Sequence, residues 1–228
     1  MPATIDIQHE LLTYSAVFER PVLNLWGNGG AIVHGFLDSL APFNVTLRNF
    51  QIHTTASPAD PVVTVTSGSA TVKFAFGGIE VIFANLNEEV LRGLPSFLDA
   101  STSWLKKAVP DFKLSSHGIV YYQHSLLKGE TVDKFLSKFS QKKIELPGVD
   151  LGTGAIFNRS VPERYWTTQT TLDRSAAFPG ALFFGLNIKI GTGLVEYEKL
   201  FAEAMSYYAA TLKALDLESP YVAGTSKS

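Results

Sequence analysis

Gly27, Asn28, Gly29 and Gly30 stand together in the chain. An apolar, extended approach over residues 22–26 precedes them, and a helical pattern follows. Strand, glycine loop and helix is a layout that cradles phosphates, because free N–H groups at a helix start attract anions. The dinucleotide fingerprint needs a third glycine where Ile32 stands, and the chain has no G-K-[ST] phosphate loop. No second βαβ unit follows to build a cofactor crevice. The stretch therefore reads as a tight strand-to-helix turn in which Gly29 and Gly30 supply positive φ. No nucleotide, and no other cofactor, is expected.

The other chemistry-bearing residues are scattered. His9, His34, His53, His117 and His124 form neither H-x-x-x-H nor H-E-x-x-H, so no metal site is expected. His117 and His124 share an extended run; their odd spacing puts them on opposite faces of a regular strand, and a bulge at Gly118 would change that. The G-x-S-x-G elbow of serine hydrolases is absent, and Ser67-Gly68-Ser69 reads as a turn. Glu88-Glu89 and the Glu196/Glu198 pair sit at helix starts, where the macrodipole accounts for them. No motif marks an enzyme, and the catalytic question stays open with non-catalysis favoured.

Aromatic residues are the unusual feature: 16 Phe, 8 Tyr and 3 Trp. Adjacent rings at Tyr121-Tyr122, Tyr165-Trp166 and Tyr207-Tyr208 must point to different sides of their elements. One side is core. The other meets water, a ligand or a partner, and tyrosine suits such half-wet places. Tyr122, His124, Tyr165 and Tyr208 are the candidate ligand-binding residues on this reading.

Composition bounds the partners. Charged residues are only 18% and hydrophobic residues 46% of 228, which argues for an ordered globular chain. Net charge is −2, and no Lys/Arg cluster exceeds a pair, so nucleic acid is not an expected partner. Cysteine is absent, which fits a cytoplasmic setting and removes disulfides and thiolate chemistry. No basic start precedes an apolar run at the N-terminus, and no stretch is long and apolar enough for a membrane helix.

The elements that must position these residues follow from periodicity. Leu12, Tyr14, Ala16 and Phe18 alternate as a strand, and Ile32, Phe36 and Leu40 mark one helix face. Residues 44–53 read as extended, with a bulge near Arg48-Asn49 to explain a slip in apolar phase. Val72, Phe74, Phe76 and Ile79, Val81, Phe83 flank Gly77-Gly78, which reads as a two-residue hairpin turn. Asn87 caps a helix running toward Pro110, with Pro95 kinking or restarting it. Residues 113–128 are extended, Thr131 caps a short helix, and 146–157 reads as glycine-rich connection. Strands are predicted over 164–172 and 181–190, then a helix over 194–215 with Tyr197, Phe201, Ala204, Tyr208, Leu212 and Leu215 inward.

The fold class predicted is α+β: an antiparallel β-sheet built from hairpins, with helices packed on one face and a long C-terminal helix. A single domain over 1–228 is expected, with two ββα-like halves (about 1–110 and 111–218) as an alternative division and a flexible tail at 219–228. Low charge and doubled aromatics favour a non-catalytic assembly module that self-associates. The alternatives are a carrier of a small apolar or aromatic ligand in a sheet–helix cavity, and an enzyme whose site is assembled from distant residues.

Overall fold

The computed structural model describes residues 3–54, 57, 59–109, 111–139, 154–161, 166–191 and 196–218. The strands are β1 (Ala3–Phe18), β2 (Phe50–Ile52), β3 (Val63–Ser67), β4 (Ala70–Ala75), β5 (Gly78–Ala84), β6 (Leu114–Lys128), β7 (Ala155–Val161), β8 (Trp166–Arg174), β9 (Leu182–Ile190) and β10 (Leu217–Glu218). The helices are α1 (Gly29–Leu40), α2 (Glu88–Ala108), α3 (Val132–Ser137) and α4 (Tyr197–Ala214). The hydrogen-bonded strand order is β2-β3-β4-β5-β1-β6-β9-β8-β7, and the two-residue β10 pairs β1 in parallel. The fold is α+β with an antiparallel sheet, as the alternating strands and hairpin turns predict. None of the described helices is long and apolar enough to cross a membrane.

Two compact units draw on discontinuous segments. Unit 1 takes Met1–Leu11, Val120–Ile188 and Glu203–Ser228, and unit 2 takes Leu12–Ile119 and Lys189–Ala202. In unit 2, β3, β4 and β5 form two tight hairpins whose inward residues Val63, Val65, Val72, Phe74, Ile79, Val81 and Phe83 are buried. Alternation produces this, since every second side chain leaves the same face. Phe36 of α1 and Trp104 of α2 meet edge to face at 4.9 Å, and Phe74 lies against both. Asn87 starts α2 by accepting the Val90 N–H, and the helix runs on through Pro95.

In unit 1, β7 and β8 pair in register from Ala155↔Leu172 to Val161↔Trp166. Leu182, Phe184, Leu186 and Ile188 of β9 are buried, the face the sequence predicts. Thr131 caps α3 through the Lys134 N–H. Along α4, which spans both units, Phe201, Ala204, Tyr208 and Leu212 are buried, so its predicted register holds. The helix has eighteen residues, fewer than the 21 of α2. Residues 194–195, where it was expected to start, and the tail 219–228 lie outside the described residues.

Several local expectations are corrected. Residues 22–26 are not an extended approach: Leu23–Leu25 form a 3-10 turn. Positive φ falls on Gly27, at 76°, rather than on Gly29 and Gly30, which are the first residues of α1 behind the Asn28 cap. The slip near Arg48-Asn49 is not a bulge but a second 3-10 turn, Leu47–Asn49, closed by reciprocal Thr46 and Asn49 bonds. The β4–β5 turn sits one residue earlier than expected, at Phe76-Gly77, because Ala75 pairs with Gly78. Gly78 is needed for space: a Cβ there would lie 2.6 Å from the Ala16 carbonyl oxygen. Residues 155–157, read as connection, begin β7.

Candidate functional site

Unit 2 gathers a string of polar side chains that no local motif announces. Asp99, Thr102 and Lys106 recur at three- and four-residue spacing on α2 and so share one of its faces. Tyr14 comes from β1, His117 from β6 and Tyr197 from the first turn of α4. The Tyr14 hydroxyl lies 3.2 Å from that of Tyr197 and 3.4 Å from His117 Nδ1. Tyr197 reaches Thr102 Oγ1 at 3.1 Å, and Thr102 donates to the Leu98 carbonyl, also at 3.1 Å.

Thr102, Tyr197, Tyr14 and His117 thus form a continuous string of hydrogen-bonding side chains that starts at the Leu98 carbonyl. The rings pack edge to face, with centroids 5.3 Å apart for Tyr14–Tyr197 and 5.9 Å for Tyr14–His117. Burial, reinforced by Tyr197, pushes the Tyr14 phenol far above its ordinary range. Burial also raises Tyr197, with Asp99 adding to the effect and its two hydrogen bonds opposing it. Both phenols therefore keep their protons at neutral pH.

A cavity of about 180 Å³ opens on this string, lined by Tyr14, Asp99, Lys106, Leu114, His117, Glu196 and Tyr197. Its buried lining is Tyr14, Leu114 and His117, and its rim carries the exposed Asp99, Lys106 and Glu196. Glu196 is engaged by Lys199 at 2.7 Å.

Unit 1 buries a different set. Tyr121 Oη lies 2.9 Å from Glu10 Oε2 and 2.7 Å from Gln123 Oε1, and Tyr208 donates to the same Gln123 oxygen at 2.7 Å. One hydroxyl proton cannot serve Glu10 and Gln123 at once. Burial, then Tyr208 and Glu10, hold the Tyr121 phenol well above its ordinary value.

On the opposite face of β6, Tyr122 and His124 join His9, Phe178 and Phe183 in a patch of half-exposed and exposed rings. Ser175 Oγ accepts the N–H groups of Ala177 and Phe178, so its own hydrogen points to His124 Nδ1 at 2.8 Å. Burial and the neighbouring His9 lower the His124 pKa below its ordinary value of 6.5.

The four residues singled out from the sequence thus separate. Tyr122 and His124 share the ring patch, Tyr208 lies in the buried set with Gln123, and Tyr165 falls outside the described residues. His117 faces the cavity of unit 2, on the other side of β6 from His124. Tyr14, Thr102 and Tyr197 carried no sequence signal, because their partners lie about a hundred or more positions away. No group of three or more metal-ligating side chains occurs among the described residues. No family model matches the chain, and no curated protein matches it.

Proposed function

We propose that the chain binds a small polar molecule in the cavity of unit 2. The observation that carries this is one cavity lined by a buried, hydrogen-bonded polar pair, Tyr14 and His117, together with exposed charges. Pockets that orient a ligand place a few polar groups in this convergent way. The cavity is smaller than the roughly 300–1,000 Å³ of pockets that hold drug-sized compounds, so the ligand is small. The charges on the rim favour a ligand with polar groups over the wholly apolar one that the aromatic content suggests. Binding is favoured over acid–base catalysis, because phenols with raised pKa hold their protons at neutral pH.

The test is a thermal-shift and ligand-observed NMR screen of small amines, carboxylates, amino acids and sugars. A saturable hit on the wild type that is lost in Asp99→Trp, which plugs the rim from an exposed helix position, supports the proposal. No hit in the panel, or a hit that Asp99→Trp leaves intact, overturns it.

A second reading, self-association, is favoured by the ring patch of His9, Tyr122, His124, Phe178 and Phe183. Interfaces enrich aromatic residues. Sedimentation velocity at micromolar concentration should show a dimer that Phe178→Ser weakens. A monomeric wild type sinks that reading.

A further inference from the structure

The two rim charges on α2 are unusually placed. Asp99 and Lys106 line one cavity with opposite charge, yet they make no ion pair with each other, nor with any other described residue. Glu196, the third rim charge, is already engaged by Lys199. The cavity therefore offers one carboxylate and one ammonium that do not neutralise each other. Seven residues, nearly two helical turns, separate them, a rise of about 10 Å along the axis. Long helical side chains lean toward the N-terminus, so the Lys106 stem shortens that gap without closing it.

A ligand with a single charge would satisfy one of these groups and leave the other facing it. A ligand with both charges on one carbon would reach only one of them well. We infer that the cavity takes a small ω-amino acid, a zwitterion whose amine faces Asp99 and whose carboxylate faces Lys106. Tyr14 and His117 line the same cavity, and the exposed charges of its rim carry the charge recognition. This inference rests on the cavity being a ligand site and specifies which chemistry fills it.

Isothermal titration calorimetry on the full chain tests it with four matched five-carbon probes: 5-aminopentanoate, 2-aminopentanoate, pentylamine and pentanoate. The expected result is that 5-aminopentanoate binds at least about tenfold more tightly than each of the others. Asp99→Asn and Lys106→Met, both at exposed positions, should each remove at least about tenfold of that affinity with the fold retained by circular dichroism. Pentylamine or pentanoate binding within about threefold of 5-aminopentanoate overturns the zwitterion. Equal binding of 2-aminopentanoate overturns the separated charges. Silence of all four probes also overturns the inference. If a compound of another class then binds and is lost in Asp99→Trp, the cavity reading survives alone; if the wider screen is silent too, both fall.

Discussion

In unit 2 the string from Thr102 through Tyr197 and Tyr14 to His117 begins on a helix carbonyl and comes to half-exposure at Tyr197, beside a cavity. In unit 1 Glu10, Tyr121, Gln123 and Tyr208 all stay under a tenth exposed. Both sets join phenols through hydrogen bonds of 3.4 Å or less. They differ in what surrounds the last hydroxyl. A fully buried set must satisfy its protons internally, and a lost partner there costs the desolvation of whatever remains. A set that ends at a cavity can trade a protein partner for water or a ligand. The same chemistry is thus enclosed in one unit and borders a cavity in the other.

High pH should erase the distinction and the fold together. Tyr14, Tyr121 and Tyr197 all have folded pKa values raised above the ordinary 10.0. Above pH 10 the unfolded chain releases protons that the folded chain retains, so stability falls as pH rises; below pH 10 these groups contribute in full. Phenolate absorbance should appear in two stages, the second coincident with loss of circular dichroism. Complete tyrosine ionisation in one gradual step, with the dichroism unchanged, would show that neither set holds its protons.

The next largest effect belongs to unit 1. Gln123→Leu removes the oxygen that both Tyr121 and Tyr208 use, and should cost about 2–4 kcal/mol. Urea unfolding would register this as a lowered midpoint at constant slope. A loss below about 1 kcal/mol would mean that the buried phenols do not depend on the amide.

Tyr14→Phe probes the middle of the other string. It takes one hydrogen-bond partner from Tyr197 and one from His117 while keeping the ring, so about 1–2 kcal/mol is expected. A cost equal to that of Gln123→Leu would remove the contrast between the units.

How much of this was legible in the sequence depends on range. The inward faces of β4, β5, β9 and α4 followed from periods of two and of about 3.6, since burial imposes those periods locally. Caps at Asn87 and Thr131 were equally legible, because capping acts over three residues. Turns were less so. The hairpin shifted by one residue because Gly78 answers to the Ala16 carbonyl, a neighbour far along the chain. The approach at 22–26 looked extended because Leu23 and Leu25 alternate with Asn24, although Leu23 is exposed in a 3-10 turn. The site was legible least. Odd spacing correctly parted His117 from His124, but nothing in one sequence tells that Tyr14 meets Tyr197, 183 positions away. Adjacent tyrosines drew attention to Tyr122 and Tyr208, whereas the cavity uses Tyr14, isolated between Thr13 and Ser15.

The smallest effect should come from Tyr197→Phe. Its hydroxyl bridges Tyr14 and Thr102, yet the residue is half-exposed and lines the cavity. Removing it takes one hydrogen-bond partner from each of Tyr14 and Thr102. Thr102 keeps its bond to the Leu98 carbonyl, and water entering from the cavity can take the lost hydroxyl's place beside Tyr14. The stability cost should therefore stay below about 1 kcal/mol, less than that of Tyr14→Phe. The urea midpoints of Tyr14→Phe, Tyr197→Phe and the double variant decide the matter. Coupling between the two sites is expected, because they share a hydrogen bond, so the double variant should cost less than the sum of the singles. Strict additivity would mean that the two hydroxyls act independently and that the string from His117 to Leu98 is not a unit. A Tyr197→Phe cost as large as that of Gln123→Leu would mean that the open end of unit 2 is as dependent on its internal partners as the buried set of unit 1.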